Sequence, residues 1–502
     1  MVTKMPITTI TTTMDDEFQP RLKADYYSMP FSEYYPEQEN AIREILHSKE
    51  SIILLQAPTG SGKSAIVVTV GRNIASIRTV ILTRTKALQH QYRDLLNFYS
   101  AEGMSSYQCP LDPEHSAEEV FCQVDHCPHK MCEYKYNKGW SEILPEIVTN
   151  YSWYLSHPAH SELLVLDEAH YANDIVTDFM TTTFTDYDFK VMNTTKEEAE
   201  EHITTLFESK IKGIGRLLFS ARKRKQNKFA SYLADLSNRL KKLSMVTNSC
   251  PYEIVSGRWL QIIPKDDAGL IDTFLLDTAS TSIMMSATIL DPVVFMKEKG
   301  LGHLPYTYIE LPNIIPAEQR PIFYYPTTKV GHQRTNYKKL VNRIDEILQF
   351  HSNQKGIIHT SNFILAKQIQ QMSSYSSSRL MVQTKETDRT ELISKFMSTS
   401  ESKVLVSPSI TTGVDLPDDM ARFAIFAKVP FPNLANKRVR EKMNTSKWYE
   451  WTTVCELVQG SGRTIRHKED YGVTYILDSN FGWFYNQNKN TFPRWWRDAL
   501  KR

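Results

Sequence analysis

The densest chemistry in the chain lies at Ala57-Pro58-Thr59-Gly60-Ser61-Gly62-Lys63-Ser64. These residues follow an apolar, β-branched run, SIILLQ (51–56), and precede a helix-forming run, SAIVVTVGRNIAS. A strand, a glycine turn and a helix start in that order make a cradle for phosphate. Gly60 and Gly62 let successive backbone N–H groups turn inward toward phosphate oxygens. The helix N-terminus adds partial positive charge. Lys63 is then placed to neutralise the β- and γ-phosphates of a nucleotide such as ATP, and Ser64 to hold Mg²⁺. Ala57 stands where the strict pattern has glycine.

A second group, Asp167-Glu168-Ala169-His170, ends the apolar run LLVL. In a parallel sheet a carboxylate at the C-terminal end of a strand faces the same crevice as the phosphate loop. Asp167 can hold Mg²⁺ through water, and Glu168 can orient and deprotonate an attacking water. An isolated Asp-Glu pair after a strand is more often a solvated turn; the loop about a hundred residues upstream favours the functional reading.

Elements that could position these groups recur along all 502 residues. YYPEQENAIREILHS reads as a helix, and TVILTRT (79–85) as a strand backed by KALQHQYRDLLNFY. The alternation breaks at 101–140, where four of six cysteines crowd together, and again at 185–250. There, apolar residues at helical spacing (Ile203, Leu206, Phe207, Ile211, Ile214, Leu218, then Phe229, Leu233, Leu236, Leu240, Leu243) predict an antiparallel pair of helices. Strand character returns at TSIMMSAT (281–288), GIIHT (356–360), KVLVSPS (403–409), RFAIFAKV (422–429) and VTYILD (473–478). The expected fold is α/β, with two RecA-like parallel-sheet lobes. A tail covers 1–30. The first lobe covers 31–292, with a cysteine-rich insertion at 101–140 and a small helical arch at 185–250. The second lobe covers 293–502.

Composition sets outer limits. With 41% hydrophobic and 23% charged residues the chain reads as globular, and a net charge of +2 means that any nucleic-acid surface must arise from local clustering. No run of about 18 apolar residues suggests a membrane span. The Thr-rich N-terminus lacks the apolar core of a secretory signal. Clustered cysteines suit a reducing compartment, so the expected location is cytoplasmic, nucleoid-associated or, for a viral protein, the host cytoplasm. The stretch before Gln38 is too short for an appended nuclease domain.

The phosphate loop, the DEAH sequence and Gln459-Gly460-Ser461-Gly462-Arg463-Thr464-Ile465-Arg466 together resemble the superfamily 2 helicases, and within them the DinG/XPD family. The likeness runs over most of 31–502. It implies that Gln38 reads adenine, that LTRTKALQHQ (82–91) lies along a nucleic-acid backbone, and that NYSWYLSH is a further family element. It also implies that Ser286-Ala287-Thr288 couples hydrolysis to strand movement and that His359-Thr360-Ser361-Asn362 begins the second lobe's nucleic-acid contact. Gly413 and Asp415, in TTGVDLP (411–417), match the nucleotide-contacting fifth motif. Gln459, Arg463 and Arg466 match the sixth, with both arginines as fingers on the γ-phosphate. Gln56, Thr412 and Asn480 depart from the residues the family often carries.

Cys109, Cys122, Cys127 and Cys132 occupy the slot that this family fills with a [4Fe–4S] cluster, which four thiolates suit. Zinc is the alternative, with His115, His126 and His129 nearby. The group would brace an insertion too small for its own core. Cys250 and Cys455 read as plain apolar residues. Lys210, Lys212, Arg216, Arg222 to Lys225 and Lys228 form a basic run, by default a solvated face. In the resembled family an arch here encloses a single strand, which would give salt-dependent phosphate attraction. Trp495 or Trp496 could stack on bases, but core packing of the second lobe is the favoured reading. The expectation is an ATP- and Mg²⁺-dependent helicase or translocase on single-stranded or forked DNA, moving 5′→3′ as the family does. RNA is possible, and no membrane partner is expected. Two other activities stay open: an ATPase that strips proteins or remodels RNA without processive unwinding, and a non-hydrolysing clamp.

Overall fold

The computed structural model describes residues 22–74, 78–118, 132–224, 226–265, 269–331, 335–408, 416, 418–465 and 467–501. Cys122, Cys127, Gly413, Asp415 and Arg466 therefore lie outside the described residues. Among the described residues no helix is long and apolar enough to cross a membrane.

The first lobe is a parallel sheet with spatial order Thr307–Glu310, Ile52–Gln56, Ala279–Ser286, Ser161–Asp167, Thr79–Thr83, Glu146–Asn150, Tyr99–Ala101. Its central strands are apolar on both faces because both are covered. Ile52 and Leu54 enter one core, while Ile53 and Leu55 enter the other. Thr307–Glu310 pairs with Ile52–Gln56, so the first sheet runs past the boundary expected at residue 292.

The second lobe repeats the plan, in the order Leu380–Val382, Val404–Ser407, Gly356–His359, Phe423–Phe426, Val473–Asp478, Ile322–Thr328, Leu500–Lys501, again all parallel. The expected pair of RecA-like lobes is present.

The second insertion holds the predicted helix pair, Ile203–Lys223 and Asn227–Ser249, with Ile214, Leu233, Leu236, Leu240 and Leu243 buried between them and their surroundings. It is not helical throughout. An antiparallel sheet of Thr182–Phe184, Leu260–Pro264 and Tyr252–Ser256 forms its base, extending the unit on both sides of the helices. Asp188 fastens helix to base, since Arg239 spans its two oxygens at 2.8 and 2.9 Å and Tyr232 donates to it at 2.6 Å.

Candidate nucleotide site and inter-lobe cleft

Strands Ile52–Gln56, Ala279–Ser286 and Ser161–Asp167 are neighbours in register, Gln56 opposite Ser286 and Met285 opposite Asp167. Their C-terminal ends thus bring the phosphate loop, Ser286-Ala287-Thr288 and Asp167-Glu168 to one edge, as parallel-sheet geometry requires. Gly60 and Gly62 both have positive φ, 81° and 78°. Gly62 caps helix Lys63–Asn73 in a left-handed conformation.

Gln38, 6% exposed, braces this loop. Its Nε2 donates to the Ser61 carbonyl at 2.9 Å, and its Oε1 accepts from Tyr35 N at 2.9 Å. A side chain on Gly62 would strike Gln38 Nε2. Lys63 Nζ folds back onto the Ala57 carbonyl at 3.0 Å, and Ser61 Oγ donates to Pro58 O at 2.6 Å.

Asp167 is buried, and its pKa is pushed up by burial and by neighbouring Glu168, with Lys63 pulling it down. A buried carboxylate in this electrostatic position suits a divalent cation. Tyr151 of NYSWYLSH donates its hydroxyl to the Asp167 carbonyl at 2.9 Å. Glu168 is left-handed, φ 52°, which turns its side chain out of the strand direction. Its Oε2 lies 3.4 Å from His170 Nδ1 and accepts no hydrogen bond among the described residues.

The second lobe reaches this edge through helix Trp448–Ser461 and the turn Gly462–Thr464. Gln459 Nε2 lies 2.7 Å from His170 Nε2 and 3.1 Å from Thr288 Oγ1. Trp451 Nε1 donates to the Ile289 carbonyl at 2.9 Å, and Trp451 and Cys455 pack into the first lobe's core. Pro58, Thr59, Ala287, Gln459, Ser461 and Gly462 line a crevice between the lobes. Arg463 is near enough to help hold the His170 and His359 rings below their ordinary pKa, after burial. The structure thus gathers Gln38, the phosphate loop from Ala57 to Ser64, Asp167, Glu168, Gln459 and Arg463 around one cleft.

Other expectations fare variously. His359 and Thr360 are buried, His359 stacking on Phe426 at 4.6 Å, so within His359–Asn362 only Ser361 and Asn362 reach the surface. Asn362 caps helix Phe363–Met372. Trp496 is core and donates to Ser461 Oγ at 2.8 Å; Cys455 is buried, and Cys250 partly so. Lys212, Arg216, Lys223, Arg224 and Lys228 are exposed on the arch.

Sequence reasoning noted Gln56 only as a departure from the family and passed over Lys299 and Tyr171. Gln56 donates to Glu310 Oε1 at 2.9 Å while its Oε1 accepts from Leu290 N, a pairing that a glutamate could not make. Lys299, 2% exposed, donates to the His170 carbonyl at 2.8 Å. Tyr171 lies within reach of Gln459 and Glu456. In each case the partner is more than a hundred residues away, so no local pattern announces it.

Cys109 and Cys132 are both buried, at the hairpin Gln108–Cys109/Asp112–Ser116 and at the N-cap of helix Glu133–Ile143. The described core of this insertion is only Ala117, Cys132 and Tyr134, with Met104 and Tyr107 against them. Buried thiols in so slight a core fit a bound metal group as a brace.

A family profile described as DEAD/DEAH box helicase matches residues 35–221, and one described as Helicase C-terminal domain matches 344–499. The Regulator of telomere elongation helicase 1 homolog of Caenorhabditis elegans is 24% identical over 110 residues, 18% of this chain and 11% of that protein. The Fanconi anemia group J protein homolog of Gallus gallus is 28% identical over 123 residues, 21% of this chain and 10% of that protein. The ATP-dependent DNA helicase CHL1 of Debaryomyces hansenii is 27% identical over 97 residues, 16% of this chain and 12% of that protein. Each match therefore spans about a tenth of the relative's length. Among solved structures, an XPD helicase superposes with a TM-score of 0.62 at 14% identity, covering 92% of this chain and 98% of the other. Xpd4 of S. tokodaii gives 0.53 at 15% identity, covering 92% and 97%. With these two profiles the chain carries a DEAD/DEAH box helicase domain and a helicase C-terminal domain, and its fold is similar to that of the XPD helicases.

Proposed function

We propose that the chain is an ATP- and Mg²⁺-dependent DNA translocase that moves 5′→3′ along single-stranded or tailed DNA and separates strands ahead of it. The observation that carries this reading is the bonding of Gln459 in the second lobe to His170 and Thr288 in the first, beside the phosphate loop. Closure on a nucleotide and contact between the motor lobes then share the same residues.

In this reading the loop from Pro58 to Ser64 holds the phosphates, with Lys63 released from the Ala57 carbonyl to meet them, and Gln38 reads the adenine. Ser64 and Asp167 hold Mg²⁺, which supplies charge neutralisation at the phosphates. Glu168, whose Oε2 lacks a hydrogen-bond partner among the described residues, orients and deprotonates the attacking water. Arg463 and Arg466 stabilise charge on the γ-phosphate, and Gly413 and Asp415 complete the nucleotide contact. Relatives named as DNA helicases support DNA as the track, and the exposed arch lysines and arginines suit its phosphates. Cys109, Cys122, Cys127 and Cys132 hold a [4Fe–4S] cluster, with zinc as the alternative, bracing the first insertion.

Strand displacement on duplexes with 5′ or 3′ tails, run beside phosphate release, tests this. The 5′-tailed duplex is unwound and the 3′-tailed one is not. Glu168→Gln lowers turnover more than about a hundredfold while still binding ATP. Wild-type turnover by that variant would remove Glu168 from its role.

A further inference from the structure

Tyr171 contacts Arg84 within the first lobe and Gln459 and Glu456 in the second. It ends the turn Ala169–Tyr171 directly after the DEAH residues and begins helix Ala172–Met180. Its ring is covered by Arg84, whose guanidinium carbon lies 3.7 Å from the ring centroid. Its hydroxyl points the other way, 3.1 Å from Gln459 Oε1 and 3.3 Å from Glu456 Oε1, both on helix Trp448–Ser461 of the second lobe.

Arg84 follows strand Thr79–Thr83 and directly precedes Thr85, the N-cap of helix Lys86–Leu96. Among the described residues no carboxylate is salt-bridged to it, and its buried Nη1 finds no acceptor. A guanidinium stacked on an aromatic ring, with an N–H unsatisfied, is suited to an anionic oxygen. Gln459 is committed at both ends. Its Oε1 faces Tyr171, and its Nε2 faces His170 and Thr288. The ring cannot shift without altering the acceptor on Gln459, one turn before Arg463.

We propose that Tyr171 is a positioning residue that passes strand contact at Arg84 to the arginine-bearing turn of the second lobe, so that hydrolysis accelerates when a strand is engaged. This rests on the translocase reading and adds the route by which the strand is sensed. A phosphate of the strand meets the half-exposed guanidinium of Arg84, the guanidinium fixes the ring beneath it, and the hydroxyl fixes Gln459 against His170. The chemistry at Glu168 is untouched by Tyr171 itself.

The test measures phosphate release by the full chain with and without oligothymidylate, for wild type, Tyr171→Phe, Arg84→Lys and the double variant. Tyr171→Phe keeps the ring under Arg84 and removes only the hydroxyl. Arg84→Lys keeps the charge and removes the planar stack. Each single variant loses about three- to tenfold in the ratio of stimulated to unstimulated kcat, with KM for ATP within about twofold. The double variant loses no more than the worse single, because both act on one link. Stimulation of Tyr171→Phe equal to wild type, or single losses that multiply in the double variant, overturns the proposal. A wild-type chain that no strand stimulates sinks the translocase reading along with it, whereas a stimulated wild type beside an equally stimulated Tyr171→Phe sinks the relay alone.

Discussion

Gln459 Nε2 donates to His170 Nε2 at 2.7 Å across the boundary between the lobes, and this fixes the state of the histidine. His170 Nε2 must accept, so its proton sits on Nδ1, 2.8 Å from Ser286 Oγ. Burial first, then Lys299, Arg84 and Arg463, holds its pKa well below the ordinary value, which keeps the ring neutral. One neutral imidazole thereby ties the DEAH turn, the Ser286–Thr288 segment and the second lobe together.

Removing the amide should therefore uncouple the lobes while the phosphate loop stays whole. Gln459→Ala is expected to lower strand-stimulated kcat about tenfold or more, with ATP affinity within a few-fold of wild type. Steady-state kinetics beside nucleotide-binding titration separates the two. An equal loss of affinity would show that Gln459 serves nucleotide binding instead.

The phosphate loop depends on a glycine at 62 for two reasons, a φ of 78° and the approach of Gln38 Nε2. Gly62→Ala meets both obstacles and is expected to weaken ATP binding more than about tenfold. Gln38→Ala removes the brace and the adenine contact but leaves the loop backbone unstrained, and should weaken it less. Fluorescent-nucleotide titration checks the order; the reverse order would contradict the packing described.

The alternation of strands and helices and the contiguous motifs were legible because their chemistry is local. The loop from Ala57 to Ser64, Asp167-Glu168 and Gln459 with Arg463 each declare themselves within eight residues. Tyr171 and Lys299 do not, since a tyrosine after a histidine and a lysine in KEKG look like surface residues until their distant partners are in place. The short strands Tyr252–Ser256 and Leu260–Pro264 hid beside two long helices, and Thr307–Glu310 joined the first sheet only through its pairing with Ile52–Gln56. Pairing of short strands is a tertiary fact that residue types underdetermine.

Lys299 offers a measurable pH dependence. Burial pushes its pKa down to about 7, with Asp174 and Glu298 favouring the charge and Lys442 opposing it. The folded state thus disfavours the ammonium that the unfolded chain keeps up to the ordinary lysine range. Wild-type stability then gains as pH rises from about 7 toward about 10. Compared with Lys299→Met, the wild-type melting temperature should improve by a few degrees between about pH 6.5 and about pH 9.5. A difference that stays constant over that range would contradict the assignment.

The cysteine-rich insertion is tested by anaerobic purification with iron, sulfide and zinc analysis. About four irons and four sulfides per chain, with absorbance near about 400 nm, are expected, and Cys132→Ser should lose both metal and stability. Colourless protein holding about one zinc would replace the cluster with the alternative ion.

The most direct measurement is phosphate release from ATP in magnesium and reducing buffer, with and without single-stranded DNA. A rate that rises several-fold with DNA in wild type and is abolished in Lys63→Ala is the predicted result. A wild-type rate indifferent to DNA, or undiminished in Lys63→Ala, would contradict a motor built around this cleft.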